Sequence, residues 1–381
     1  MERARVLRKP REESYIDYSL IFIILFLLAF GLVMLYSTSS YEANLDFGDS
    51  SYYFRHQLLP TILGLVGMVV VSYIPYRFVA KFSLPIYAVA AVLLILVIPF
   101  GKVINGAKRW IFIMGMSIQP AEIAKFAVIV FSAAFIVKLK KNLLNPKGFA
   151  TAMAFPAFLA ILVYGITKNL SSAIIIMGIT VTMLFISTPG YKKYILALVS
   201  VVGVAAVVII LIVNSENSSG MNYRFERVLA WLDPVAYAHG KGFQTLQALY
   251  AIGSGGVFGK GLGESMQKMG FIPEAQNDMI FSIICEELGL FGAIAVMLMF
   301  LLLIWRLMII ANNAPDMLGA LLVIGVMGHI SIQVILNIAV VTNTIPNTGI
   351  TLPFISYGGS AVIVQLAEIG LALNVARNIG R

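Results

Sequence analysis

The chain has a single cysteine, three histidines and only 12% charged residues over 381 positions. One cysteine, Cys285, excludes an internal disulfide framework and a Cys-based zinc site. His56, His239 and His329 are far apart in the chain and give no metal-ligand spacing, so no protein metal site is expected. Charge is scarce, 60% of residues are hydrophobic and the mean hydropathy is +0.91. Those values exclude an ordinary soluble domain. No low-complexity tract or clear repeat is present. The run GSGGVFGKGLG suggests a nucleotide loop but has no G-K-[ST] ending and no preceding strand. Tight turns are the better reading of its glycines.

What the chain does have is apolar runs of roughly 20 residues, the length that crosses a bilayer as a helix. About ten such spans fit the hydropathy, near 18–38, 57–75, 81–100, 119–138, 149–167, 170–189, 193–213, 279–306, 316–338 and 351–375. The first follows a basic start and is too long for a signal-peptide core, so it reads as an uncleaved span. With the N-terminus inside, every inner turn carries Lys or Arg, and these turns hold more than half of the 27 basic residues. That is the positive-inside pattern. The formal charge of +9 therefore reads as a topology signal, and no nucleic acid is expected. The expected architecture is an all-α polytopic membrane protein with both termini cytoplasmic. A single membrane domain covers 1–381, with a basic tail at 1–17 and one large extracellular loop at 214–278.

That loop is too long to be a plain connection. Its first part, YRFERVLAWLDP, interleaves apolar and charged residues and reads as an amphipathic interfacial helix. A short helical pattern and the glycine-rich turns follow. Cations remain on the outer side against the topological bias, among them Lys108, Arg109, Lys168, Arg224, Arg227, Lys241, Lys260 and Lys268. They suggest a bound anion; lipid phosphates of the outer leaflet are the bland alternative.

Two carboxylates stand where the chain re-enters the membrane, in KMGFIPEAQNDMIFSIICEELG. Asp278 is at the entrance, and Glu286 lies about two helical turns deeper on much the same face. Carboxylates at membrane depth face a bundle interior or a wet cavity and are functional candidates; a helix cap and a packing partner are the structural alternatives. In NGAKRWIFIMGMSIQPAEIAK, Pro120 suits a first helical turn, and Glu122 and Lys125 share a face. With Arg109 and Trp110 they resemble a cradle for a sugar diphosphate, since Arg and Lys bind phosphate oxygens and Trp offers a flat face. In NTIPNTGITLPFISYGGSA, Pro and Gly break the helix, which membranes tolerate only against protein or a water-lined cavity.

These motifs, in this order and over nearly the whole chain, resemble the SEDS family of bacterial shape, elongation, division and sporulation proteins. GITLPFISYGGS and GAKRW look more like its division and sporulation members than its elongation members. KNLSS departs from the usual Asp-Leu-Gly-Thr, QND from His-Thr-Asp, and Asn347 from a common Val. The resemblance implies a plasma-membrane glycosyltransferase that polymerises lipid II outside the cell. It implies a class B penicillin-binding protein as transpeptidase partner, with other division or sporulation proteins. In the family the match to Asp278 is the proposed catalytic residue, and the matches to Arg109, Trp110, Glu122 and Lys125 line the substrate cavity.

The residues fit that chemistry. Asp278 is expected to act as general base on the acceptor 4-hydroxyl. Arg109 and Lys125, with Lys268 or Arg224, are expected to stabilise the departing diphosphate. A helix N-terminus favours ionised Asp278 while desolvation opposes it, a balance the sequence leaves open. A divalent cation, Mg²⁺ or Mn²⁺, is also left open, as is transport of lipid II across the membrane by a flippase, the competing function.

Overall fold

The computed structural model describes residues 16–104, 106–113, 116–213, 223–240 and 242–379. The basic start to residue 15, residues 214–222 of the expected outer loop, and Lys241 lie outside the described residues. The chain begins with α1 (Tyr18–Phe47), α2 (Tyr52–Tyr73), the short α3 (Tyr76–Lys81) and α4 (Ser83–Phe100). Strands β1 (Lys102–Ile104), β2 (Ala107–Ile113) and β3 (Met116–Ile118) follow. Then come α5 (Pro120–Leu139), α6 (Pro146–Thr167), α7 (Leu170–Ser187) and α8 (Lys192–Val213). After α9 (Tyr223–Leu232) and α10 (Phe243–Gly255), the chain closes with α11 (Ile280–Asn312), α12 (Met317–Val341) and α13 (Gly359–Arg377).

Among the described residues, nine helices are long and apolar enough to cross a membrane. They match nine of the expected spans. The remaining expected span coincides with α8, a helix of 22 residues. Helices α5, α12 and α13 are the most buried and form the centre of the bundle. Leu, Phe and Val side chains on α1, α2, α4 and α11 stay exposed, as lipid-facing positions do in a membrane protein. Helices α2 and α13 pack most closely. A Cβ built on Gly370 would stand 2.5 Å from the Met68 carbonyl oxygen, so a small residue is what lets these backbones approach.

Three departures from the hydropathy pattern shape the site. The first is the antiparallel sheet β1-β2-β3 between α4 and α5. Hydropathy windows see only long runs, and AKRWIFI is short, with β-branched and aromatic residues suited to a strand.

The second is a break in α11. Gly289 has φ 66° and ψ −164°, a conformation open essentially to glycine alone. The break frees backbone groups, and the loop after α10 takes them up. Lys260 and Gly261 donate N–H bonds to the Glu286 and Glu287 carbonyls, both at 3.0 Å. Leu290 and Phe291 donate to the Gly256 and Val257 carbonyls at 2.9 and 3.1 Å. The two chains cross so closely that a Cβ on Gly259 would sit 2.1 Å from the Glu287 carbonyl oxygen. The glycine run is therefore a crossing point of backbones, as expected of tight turns. Gly289→Ala would place its Cβ 2.3 Å from the Gly259 nitrogen. Strain and overpacking together are expected to cost at least about 3 kcal/mol, measured as a fall in the unfolding temperature of the detergent-solubilised protein.

The third is the stretch before α13. The expected span starts at 351, but helix begins only at Gly359, because Pro353 and the Gly358–Gly359 pair interrupt it. Residues 343–358 run as irregular backbone among buried side chains, Leu352, Phe354 and Ile355 included. Amide side chains on neighbouring helices satisfy this backbone. Asn337 donates to the Ile350 carbonyl at 2.7 Å and Gln333 to the Thr351 carbonyl at 3.1 Å. Gln365 accepts from Phe354 N–H, and Gln57 from Gly358 N–H. This is broken backbone buried in protein, the setting in which a bilayer tolerates it.

Candidate active site

The irregular stretch 347–351 is where the candidate residues converge. Arg227 of α9 donates to the Asn347 carbonyl at 3.1 Å, and the Asn347 amide donates to Gln244 of α10 at 2.9 Å. Ser171 of α7 donates to the Thr348 carbonyl at 2.8 Å. Gly349, at φ +68°, turns its Cα towards Asp278: a Cβ there would lie 3.8 Å from Asp278 Oδ2. Asn337 of α12 donates through one amide nitrogen to both the Ile350 and the Asp278 carbonyls. It thereby fixes Asp278 and the irregular stretch relative to each other.

Asp278 precedes the α11 cap residue Met279 and is only 8% exposed. Burial pushes its carboxyl up from the ordinary 3.8 to about 6. Its own backbone N–H opposes this, Glu274 adds to it, and Arg227 lowers it. The balance left open by the sequence therefore goes to desolvation. A carboxyl near 6 is mostly ionised at neutral pH yet more basic than a solvated one.

One turn along α12 from Asn337, Gln333 links this stretch to the expected Glu122–Lys125 pair. Glu122 Oε1 and Lys125 Nζ are 2.8 Å apart, both side chains almost fully buried. The Lys125 ammonium also donates to Gln333 Oε1 at 3.1 Å. The same oxygen meets His329 Nε2 at 2.9 Å, and His329 Nδ1 meets Glu368 at 2.8 Å. His329 is thus a satisfied helix–helix contact, as its sequence position suggests, bonded to Gln333 on its own helix and to Glu368 of α13. Glu122 Oε2, Asn337 Oδ1 and Thr348 Oγ1 are buried without a protein partner. Orphaned polar atoms around one stretch of chain call for water or ligand there.

Arg109 and Trp110 lie on β2, half-buried. Arg109 donates to the Thr167 carbonyl at 3.1 Å and reaches the Lys168 carbonyl at 3.5 Å. It braces the α6–α7 turn, and Ser171 at the start of α7 in turn holds Thr348. In that turn Asn169 caps α7 by accepting from Ser172 N–H at 3.0 Å. An Asn there performs the capping that a carboxylate would.

Lys268 and Glu286 are each taken up in an ion pair. Lys268, expected to bind substrate, is 7% exposed and its ammonium lies 2.7 Å from Glu287 and 3.0 Å from Ser37. Its charge is neutralised in a contact that ties the loop to α1 and α11. Glu286 accepts from Lys260 at 2.6 Å, from the Ser265 hydroxyl, and from the Met266 and Gln267 backbone. It fastens the glycine-rich loop to α11. The Arg224 side chain, also expected to bind substrate, lies outside the described residues.

Sequence reasoning missed Gln333, Asn337 and Gln244. Uncharged amides give no charge signal, although Gln333 and Asn337, within the apolar α12, cost energy in a bilayer unless bonded. Their presence there was the available clue.

Comparisons with known proteins agree with this architecture. A family model described as "Cell cycle protein", covering FtsW, RodA and SpoVE, matches residues 18–380. Stage V sporulation protein E of Bacillus subtilis is 38% identical, over 95% of this chain and 97% of its own. The probable peptidoglycan glycosyltransferase FtsW of Trichlorobacter lovleyi is 36% identical, over 98% of this chain and 96% of its own. Among solved structures, a chain from a peptidoglycan synthase complex that coordinates polymerization and crosslinking superposes with a TM-score of 0.76. It is 27% identical and covers 97% of this chain and 100% of its own. The rod shape determining protein RodA of Thermus thermophilus, 24% identical, matches in fold with a TM-score of 0.67, covering 96% and 98%.

Proposed function

As the chain belongs to the FtsW, RodA and SpoVE family of cell cycle proteins, we propose that it is a peptidoglycan glycosyltransferase polymerising lipid II. The observation that carries the reading is Asp278, a buried carboxyl raised to about 6 and held against the irregular 347–351 stretch. In this reading Asp278 takes the proton from the 4-hydroxyl of the acceptor sugar. The freed oxygen attacks the donor anomeric carbon, and the bond from that carbon to the diphosphate oxygen breaks. An α-linked donor then yields a β-1,4 bond with inversion, and polyprenyl diphosphate leaves. Lys125 and Arg109 are assigned to the negative charge that develops on the diphosphate. Trp110 and Glu122 are assigned to the same cavity.

The positive-inside pattern supports both termini in the cytoplasm and the 214–278 loop outside, with 1–381 as one membrane domain. A site on that face has no nucleotide supply, so a membrane-anchored, pre-activated donor suits it. A divalent cation would draw on Asp278 and on Glu274, whose charge adds to the raised pKa of Asp278, and on the substrate diphosphate. Among the described residues no group of three His, Cys, Asp or Glu forms a site of its own, and Mg²⁺ commonly takes few carboxylates plus phosphate. The proposed partner is a class B penicillin-binding protein that cross-links the product, at the division septum or during sporulation.

The test gives purified protein, alone and with its transpeptidase, labelled lipid II in detergent, with and without chelator, and reads glycan length on a gel. Long chains are expected. No chains in any condition, together with lipid II scrambling in liposomes, would favour the flippase reading instead.

A further inference from the structure

A polar cavity lies on the loop side of the site. Its volume is about 180 Å³, room for one sugar ring, and Arg227, Trp231, Gln244, Thr245 and Asn347 line it. It is built by α9 and α10, which are not spanning helices, and by the start of the 347–351 stretch. Two links join it to Asp278. Asn347 is the near neighbour of Gly349, which faces the carboxylate, and Arg227 is close enough to lower the Asp278 pKa.

We propose that this cavity is a subsite for one neutral acetamido-sugar ring of the growing glycan strand, a proposal that rests on the polymerase reading above. The lining argues for a sugar over other ligands. Three amide or hydroxyl side chains, Gln244, Thr245 and Asn347, match hydroxyl and acetamido groups, each of which both donates and accepts. Trp231 already donates its indole N–H to the Asn343 carbonyl at 3.0 Å, so what it offers the cavity is apolar ring surface, suited to the C–H face of a sugar. Among the described residues the lining holds one cation, and that cation is bonded to the Asn347 carbonyl, which suits a neutral ring better than a diphosphate.

The lining is also held in place before any ligand arrives. Gln244 donates to the Pro273 carbonyl at 3.1 Å and accepts from Asn347 at 2.9 Å, which leaves each amide a second N–H or lone pair. Prepaid positioning of this kind lowers the cost of binding. The donor's diphosphate belongs beside the membrane helices that carry Lys125. The lipid-distal side therefore belongs to the strand, which must be kept between additions if the enzyme is to extend one chain repeatedly.

The test uses full-length protein labelled with 5-fluorotryptophan. Its three tryptophans, Trp110, Trp231 and Trp305, give separate ¹⁹F resonances, with Trp231 assigned through Trp231→Phe. The probe is a lipid-free tetrasaccharide of alternating N-acetylglucosamine and N-acetylmuramic acid. A saturable shift of the Trp231 resonance is expected, weakened about tenfold in Gln244→Ala and in Thr245→Val. The same variants should make shorter chains from saturating lipid II. No Trp231 shift in a preparation that polymerises lipid II would overturn the subsite and leave the polymerase reading intact. A Trp231 shift in protein that forms no chains would keep the subsite and remove the polymerase.

Discussion

Asparagine in place of Asp278 is expected to lower glycan polymerisation by about 10²- to 10⁴-fold and, at neutral pH, to raise thermal stability. The two effects have one cause. Burial raises the Asp278 carboxyl from 3.8 to about 6, so the folded protein disfavours the charged form relative to the unfolded chain. Below about pH 3.8 the carboxyl is neutral in both states and costs nothing. As pH rises through about 6 it ionises in the folded state too, and the full penalty, on the order of 3 kcal/mol, is then present. Asn has the same shape and no charge, so it escapes the penalty while losing the base. The stability gap between the variant and the wild type should open between about pH 4 and 6 and stay level above. Wild-type polymerisation should fall as pH drops through about 6, where the base becomes protonated. Lipid II gels across pH and unfolding temperatures in detergent measure both. A structural carboxylate would behave otherwise, with its removal lowering stability and activity together. A folded Asp278→Asn protein with near-normal chains would falsify the base assignment.

The parts of this site that sequence could show are those that disturb an average. Spans were legible because hydropathy integrates over a whole helix, and Asp278 was legible because a carboxylate at a membrane entrance is rare. Lys268 was conspicuous for the same reason. A cation kept on the outer face suggests an anionic ligand, but its anion is Glu287 in the following helix. The clue was present: Glu286 and Glu287 are consecutive acids in an apolar run, and such a pair calls for two cations, which Lys260 and Lys268 supply. The sheet over 102–118, the break at Gly289 and the amides at 333 and 337 had no comparable signal. The sheet is made of runs too short for a hydropathy window, and the break and the amides acquire their meaning from partners elsewhere in the chain, as Asn337 does from Asp278.

Removing Lys125 alone is expected to damage the fold before it reports on catalysis. Its ammonium and the Glu122 carboxylate are both almost wholly buried, and the second Glu122 oxygen already has no protein partner. Lys125→Ala would leave that carboxylate uncompensated, a loss of about 3–5 kcal/mol for a buried pair broken on one side. Gln333 would lose a donor as well, though His329 and Thr351 would still hold it. The double variant Glu122→Gln with Lys125→Met removes both charges and keeps the volume, so most of the stability should return. Polymerisation should not return with it. If Lys125 stabilises the leaving diphosphate, its loss costs about 10²- to 10³-fold in rate, whatever happens to the fold. Unfolding temperature and lipid II gels on Lys125→Ala and the double variant separate these roles. A stable double variant that polymerises at the wild-type rate would make the pair structural only and leave Arg109 as the cation for the leaving group. A stable but inactive one would mean that the membrane interior carries this charge pair at a cost in stability because the reaction uses it.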